Sequence, residues 1–363
     1  MRRTTEQRSA PAGARPDAVP GATTGRSGSV PLLKVRDLSV TFGSRGRSDV
    51  RAVDGVSLDV FAGQTVGIVG ESGSGKSVTS LAALGLLGKR GVTVTGSVEF
   101  EGDDLLTMPD DELRALRGRD VAMVFQDPMS ALNPVLTVGR QITEILTRHR
   151  DMDRRESKEE AVRLLDSVGI ADARRRLTSF PHQLSGGMRQ RVMIAMALAC
   201  SPRLLIADEP TTALDVTISA QILELLRTLV ADTQTALVMI THDLGVVAGL
   251  CDQVHVMYSG RIVESAPRKA LFADPSHPYT HGLLASVPRL DQPRGTPLRP
   301  IPGSPSDTLP WSRGCAFAPR CSRQVDECLG GPPVLEPIAT QSHLLRCVNP
   351  VPPEGPLAAE GTP

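Results

Sequence analysis

"TVGIVGESGSGKS", Thr65 to Ser77, runs a short apolar segment into a glycine-marked turn that closes on a lysine and a serine. The segment Thr65 to Gly70 is continuous and too short for a helix, the pattern of a strand buried on both faces of a parallel sheet. Behind it "GESGSGKS", Gly70 to Ser77, follows the eight-position pattern of a loop that cradles phosphates. Glycines at 70, 73 and 75 let the backbone curl around an anion at a helix N-terminus, Lys76 reaches the β and γ phosphates, and the Ser77 hydroxyl ligates Mg²⁺. The helical run "SVTSLAALGLL" completes a strand, loop and helix unit. A nucleoside triphosphate with magnesium is the ligand this unit predicts.

Two further apolar runs, "RLLIAD" (203–208) and "TALVMITH" (235–242), also end on a polar residue. Strands alternating with helical patterns predict an open α/β sheet, whose ligands gather at the carboxyl ends of its strands. Upstream, "LLKVRDLSVTF" (32–42) and "VDGVSLDVFAG" (53–63) alternate apolar and polar residues and predict an antiparallel β layer. Among the helices, "SKEEAVRLLDSVG" is read as opening with a capping box of Ser157 and Glu160, with Ala161, Leu164, Leu165 and Val168 on one face. "GGMRQRVMIAMALACSP" places Met188, Val192, Ala195, Met196 and Ala199 on one stripe before Pro202 ends it.

The strand ends carry the chemistry. Asp208 is placed to hold the water shell of magnesium, and Glu209 to accept the proton of an attacking water. Gln126, after "VAMVF", and His242, after "VMIT", stand where a γ phosphate or its Mg²⁺ is contacted. "LSGGM" (184–188) offers a serine hydroxyl and bare amides at a second helix start, a further anion site. The chain's own phosphates are already held by Gly70 to Ser77, so this site serves another nucleotide.

Equal numbers of basic and acidic residues, 40 of each, remove the electrostatic footprint of a sequence-independent nucleic-acid binder. No run reaches the roughly eighteen apolar residues of a membrane span. Residues 1–30 lack an apolar segment behind their basic start and are expected to be a disordered tail, not a secretory signal. Six cysteines without an export signal point to a reducing compartment. Cys200 and Cys251, in apolar context, are read as core. From about Asp291 the texture changes: more than half of the 29 prolines and four of the six cysteines fall there. A segment so poor in core formers is expected to need a staple. Cys315, Cys321, Cys328 and Cys347, separated by 5, 6 and 18 residues, contain no paired C-x-x-C, which disfavours a zinc ribbon without excluding zinc. Four thiolates suit a [4Fe–4S] cluster.

"GESGSGKS", Gln126, "LSGGM", "LLIADEP", "ALD" (213–215) and His242, in this order, resemble the nucleotide-binding subunit of an ABC transporter over about Leu32 to Ser265. The resemblance implies an α/β fold: a P-loop ATPase with a RecA-like parallel-sheet core, an antiparallel β subdomain, a helical subdomain and, here, a Cys/Pro-rich C-terminal extension. It implies ATP contacts along Gly70, Ser72, Gly73, Ser74, Gly75, Lys76, Ser77 and Val78, with Phe42 stacked on adenine. Mg²⁺ falls to Ser77, Gln126 and Asp208. Glu209 becomes the catalytic base, His242 the γ-phosphate contact and Gln126 the lid residue. In a head-to-tail ATPase pair, Ser185, Gly186 and Gly187 of one subunit close on the ATP of the other, with Asp215 at the seam. Met188 departs from the glutamine that ends the general motif.

More narrowly, "PMSALNP", "SGGMRQRVMIAMALAC", "THDLGVVA", "PSHPYTHGLL" and "IPGSP" resemble the ATPases of dipeptide and oligopeptide importers, a group that extends to nickel importers. This implies a second, distinct but similar ATPase chain, two membrane permeases and an extracytoplasmic substrate-binding protein, with no nucleic acid. It also implies a peripheral place at the cytoplasmic face of the inner membrane and an iron–sulfur site on the four cysteines. The expected domains are a tail over 1–30, an ATPase domain over 31–265 with a helical insertion at about 127–187, an extension over 266–350 and a flexible tail over 351–363. The rival reading, an ABC-type ATPase acting on DNA or ribosomes, meets a chain with one cassette and no long heptad run.

Overall fold

Eight strands form the main sheet in the order Glu336–Ile338, Thr340–Leu345, Arg261–Pro267, Gln253–Tyr258, Thr65–Val69, Ala236–Thr241, Leu204–Asp208 and Val121–Val124. This computed structural model describes residues 30–44, 47–212, 214–287, 300–304, 314–338 and 340–352. The expected tails lie outside them but for Val30, Val351 and Pro352, and Ala213 of "ALD" lies outside as well.

The five strands from Gln253–Tyr258 to Val121–Val124 are parallel, and Thr65–Val69 sits between two of them with all five residues buried. That is why its sequence is uninterruptedly apolar. A second, four-stranded antiparallel sheet contains Leu33–Ser44, paired with Arg47–Val60 on one side and Val92–Phe100 on the other. One core lies between the two sheets, where Val40, Val53 and Val98 meet Val66, Ile68 and Leu204. The other lies on the opposite face of the main sheet and continues among the helices between Pro128 and Leu198.

Two helix expectations are corrected. The helix expected from Ser157 starts one turn earlier, at Arg154: the capping box is Asp153 with Glu156, and Ser157 is a buried residue inside the helix. Helix Gly186–Leu198 is not striped, since Gln190, Val192, Met193, Ile194, Ala195 and Ala197 are all buried, so it is enclosed on more than one face.

The chain beyond the parallel strands is held by more than its cysteines. Thr340–Leu345 pairs antiparallel with Arg261–Pro267 and extends the main sheet. Beneath that junction the fully buried Glu264 accepts from the amides of Ser276 (2.8 Å) and His277 (3.0 Å) and contacts His343 Nε2 at 2.8 Å. Burial pushes the Glu264 carboxyl up, but the His343 bond and the two amides outweigh it and hold the group below its ordinary value. Tyr258, Tyr279 and Phe317 pack edge to face or tilted with centroids 4.7–5.3 Å apart.

Glu264→Ala strands two buried amides and a histidine and is expected to cost about 3 kcal/mol in denaturant unfolding. The wild-type contribution is complete above the ordinary pKa of 4.5 and is lost as pH falls through the lower folded value. An alanine variant as stable as wild type at neutral pH would discard this account.

Candidate functional site

The phosphate loop begins where strand Thr65–Val69 ends and leads into helix Lys76–Ala83. Gly75 has φ 99°, and a Cβ there would lie 2.5 Å from the Ala52 carbonyl oxygen. The turn therefore excludes any side chain at this position on both conformational and steric grounds. Lys76 is buried, and its Nζ donates to the carbonyls of Gly70 (2.8 Å) and Glu71 (2.9 Å). Burial pushes its ammonium pKa down, against the pull of Glu209, Asp208 and Glu71. Ser74 is buried and its hydroxyl has no hydrogen-bond partner among the described residues, while Ser72 and Gly73 are exposed. Val78 is half-buried on the core between the sheets.

Three parallel strands end at the same point: Gln126 lies two residues past Val121–Val124, Asp208 closes Leu204–Asp208, and His242 follows Ala236–Thr241. Asp208 ends Leu204–Asp208 and accepts from Ser77 Oγ at 2.9 Å. Burial raises its carboxyl, with the Ser77 bond and Lys76 opposing and Glu209 adding to the rise. A hydroxyl and a buried carboxylate in contact are oxygen ligands suited to magnesium.

Glu209 takes a left-handed backbone, φ 45°, an excursion that costs a non-glycine residue about 1–3 kcal/mol and that its N–H bond to Ile240 O helps to fix. Its carboxylate accepts from Gln126 Nε2 at 3.0 Å and from Thr212 Oγ1 at 2.9 Å, and lies 3.5 Å from His242 Nδ1. Gln126, Glu209 and His242 are thus brought together as the sequence predicts. Thr212 is not marked by the sequence: a threonine after "DEPT" carries no signal that distinguishes it from its neighbour Thr211.

The other candidates stand apart from this point. Ser185 caps helix Gly186–Leu198, accepting from the Met188 amide at 3.3 Å, and both Ser185 and Gly186 are exposed. A Cβ at Gly187 would lie 2.8 Å from Ile218 Cγ2, so helix Val216–Thr233 approaches too closely for a side chain there. Asp215 is exposed and caps that same helix through the Ile218 amide at 2.9 Å. Among the described residues no hydrogen bond joins residues 185–187 to the phosphate loop. Phe42, opposite Val50 and Val92, is half-buried against the core between the sheets.

Residues 53–212 match the ABC transporter family, and residues 263–328 match the oligopeptide/dipeptide transporter C-terminal region. The oligopeptide transport ATP-binding protein OppD of Escherichia coli (strain K12) is 51% identical over 320 residues, covering 88% of this chain and 94% of that protein. The chain belongs to the ATP-binding subunits of the oligopeptide/dipeptide ABC transporters.

The dipeptide transport ATP-binding protein DppD of Bacillus subtilis (strain 168) is 50% identical to this ATP-binding subunit over 317 residues, 87% of this chain and 94% of its own. Among solved structures, the dimeric post-hydrolysis state of the ATP-binding cassette MJ0796 bound to ADP and Pi superimposes with a TM-score of 0.59. It is 28% identical and covers 65% of this chain and 99% of its own. The subunit is an ATPase with the ABC fold.

In this ATP-binding subunit Cys315, Cys321, Cys328 and Cys347 line one small cavity together with His277, Phe317 and Asn349, and no disulfide joins them. Burial raises the thiols of Cys315, Cys321 and Cys347, the last to about 11, with neighbouring cysteines adding to the rise. The backbone amides of Phe317, Ala318, Arg323 and Asn349 oppose it. Among the described residues no group of three or more His, Cys, Asp or Glu is placed to hold a single metal ion. Cys251 is core as expected, its thiol pushed up to about 12 by burial, whereas Cys200 is only half-buried. No helix of the described residues is long and apolar enough to cross a membrane.

Proposed function

We propose that this subunit hydrolyses ATP to drive uptake of dipeptides and oligopeptides through separate membrane permeases. The observation that carries the cargo is the match of residues 263–328 to the oligopeptide/dipeptide C-terminal region, joined to an intact hydrolytic centre. ATP and Mg²⁺ bind at Gly70 to Val78, with Ser77, Gln126 and Asp208 around the metal and Phe42 against the adenine. Glu209 is the base, oriented by Gln126 and Thr212, and His242 meets the γ phosphate. Ser185, Gly186 and Gly187 close on the ATP of a second, similar subunit, with Asp215 at the seam. The exposure of Ser185, Gly186 and Asp215 in one chain, away from its own loop, supports that division.

The working assembly is two ATPase chains, two permeases and an extracytoplasmic binding protein, with this chain peripheral at the cytoplasmic face of the inner membrane. Residues 31–265 form the ATPase unit, with the helices of about 127–187 inserted in it, and 266–350 the extension. Purification in mild detergent from its own cells is expected to recover permeases, a second ATPase and a peptide-binding protein. Ribosomal or DNA-repair partners without a permease would overturn the importer, and a nickel-binding protein would replace the cargo.

Within the extension the four cysteines are read as ligands of a [4Fe–4S] cluster. One ion needs sulfurs converging at about 2.3 Å, whereas a cluster spreads its thiolates over its irons; four cysteines around one cavity suit the second. Such a cluster, held by Cys315, Cys321, Cys328 and Cys347, would supply a covalent staple and a redox centre. Anaerobically purified protein is expected to contain iron and acid-labile sulfide in equal amounts, and zinc or no metal would refute the assignment.

Thr212→Val removes one of the hydrogen bonds that orient Glu209. It is expected to lower kcat about tenfold, roughly 1.4 kcal/mol, with little change in KM for ATP. A rise in KM at constant kcat would place Thr212 in binding instead.

A further inference from the structure

Glu71 is the first open position of the phosphate loop, one that the general pattern leaves to any residue. All its polar groups are engaged. The N–H donates to Tyr279 Oη at 2.8 Å, the carboxylate accepts a two-pronged contact from Arg320 at 2.7 and 3.0 Å, and the carbonyl accepts from Lys76 Nζ at 2.9 Å. Two of these connections run to the C-terminal extension. The third runs to the lysine that meets phosphate.

Arg320 is the fixed end of this link. Its side chain is 3% exposed against 27% for Glu71. Its Nε donates to Pro302 O at 2.7 Å, its Nη1 reaches Tyr258 Oη at 3.3 Å, and the guanidinium lies 5.8 and 6.0 Å from the ring centres of Tyr258 and Phe317. A planar donor fork held on every side sets the orientation of the carboxylate it grips. The residues beside it in the chain belong to the cysteine cavity: Cys321 follows Arg320, and His277 and Pro278 precede Tyr279. Both contacts on Glu71 therefore come from residues that adjoin the cavity lining in the chain.

We propose that Arg320 is a positioning residue for ATP, which fixes Glu71 and with it the loop carrying Lys76, so that the packing of the cysteine cavity sets the subunit's affinity for nucleotide. The two sites are then coupled energetically through one ion pair. The proposal rests on the ATPase chemistry and is independent of the cargo.

The test is the dissociation constant of MgATP for the full chain, measured by calorimetry beside its melting temperature. Arg320→Ala is expected to weaken binding about tenfold and Arg320→Lys about threefold, since one ammonium keeps the charge but not the fork. Combining Arg320→Ala with Glu71→Ala is expected to cost less than the sum of the two singles, because they remove one contact. Cys321→Ser is expected to weaken ATP binding severalfold in the wild-type background and not at all beside Arg320→Ala. Unchanged affinity in Arg320→Ala with a lowered melting temperature would reduce the pair to a staple and overturn the proposal. Equal losses from Cys321→Ser in both backgrounds, or none in either, would overturn the coupling to the cavity. If Arg320→Ala does not fold, Arg320→Lys and Glu71→Gln, which preserve volume, carry the same comparison.

Discussion

Glu209→Gln is expected to bind MgATP nearly as well as the wild type and to turn it over at least roughly a hundredfold more slowly, about 2.7 kcal/mol of lost transition-state stabilisation. Glutamine fills the same space and can still accept from Thr212 and meet Gln126, so the ground-state site survives. What it lacks is a carboxylate able to take a proton from water. The strained backbone at Glu209 makes the point sharper, since a conformation that costs energy aims this one side chain between Gln126 and His242. Nucleotide binding and single-turnover hydrolysis, measured separately, distinguish the two effects. Turnover within a few-fold of wild type would remove Glu209 from the chemistry and leave His242 or a solvent relay to be examined.

Lys76→Ala is the second large effect, and it falls on binding. The ammonium is buried and already bonded to the Gly70 and Glu71 carbonyls, so nucleotide meets a cation held in place. At the proposed ATP site, removing it deletes the charge that would face the β and γ phosphates and frees two carbonyls that would then face an anion. The affinity for MgATP is expected to fall roughly 100- to 1000-fold, about 2.7–4 kcal/mol. Arginine at this position is no rescue, because its planar head does not fit a point enclosed by two carbonyls. Tight ATP binding by Lys76→Ala would mean that the loop amides alone hold the phosphates.

Much of the centre was legible because its residues sit at the ends of short apolar runs. A buried parallel strand reads as such in sequence, and the polar residue that stops it marks the ligand face of the sheet. The same pattern marks Gln126, Asp208, Glu209 and His242 in the sequence. It failed at the start of the helix Arg154–Ser167, whose first turn faces solvent and shows no periodicity. Ser157 with Glu160 and Asp153 with Glu156 are equally good boxes on paper, and only the burial of Ser157 chooses between them. The attachment of Glu71 to Arg320, 249 residues away, was beyond reach for a different reason. Ion pairs between distant segments leave no spacing to read. The proline-rich extension was expected to depend on its cysteines, yet a strand pairing and a buried carboxylate network also hold it.

The pairing of Thr340–Leu345 with Arg261–Pro267 has a consequence for synthesis. The chain makes Arg261–Pro267 first and must wait for some 75 further residues before its neighbour emerges, a delay of several seconds at about 5–20 residues per second. Throughout that interval the nascent sheet has an open edge, and Glu264 lacks both His343 and the shelter of the closing strand. Such an edge is a template for pairing with other chains. Ribosomes that stall or terminate between Pro267 and Thr340 would therefore release products prone to aggregation, and a chaperone that shields this one edge would raise the yield of the full-length subunit.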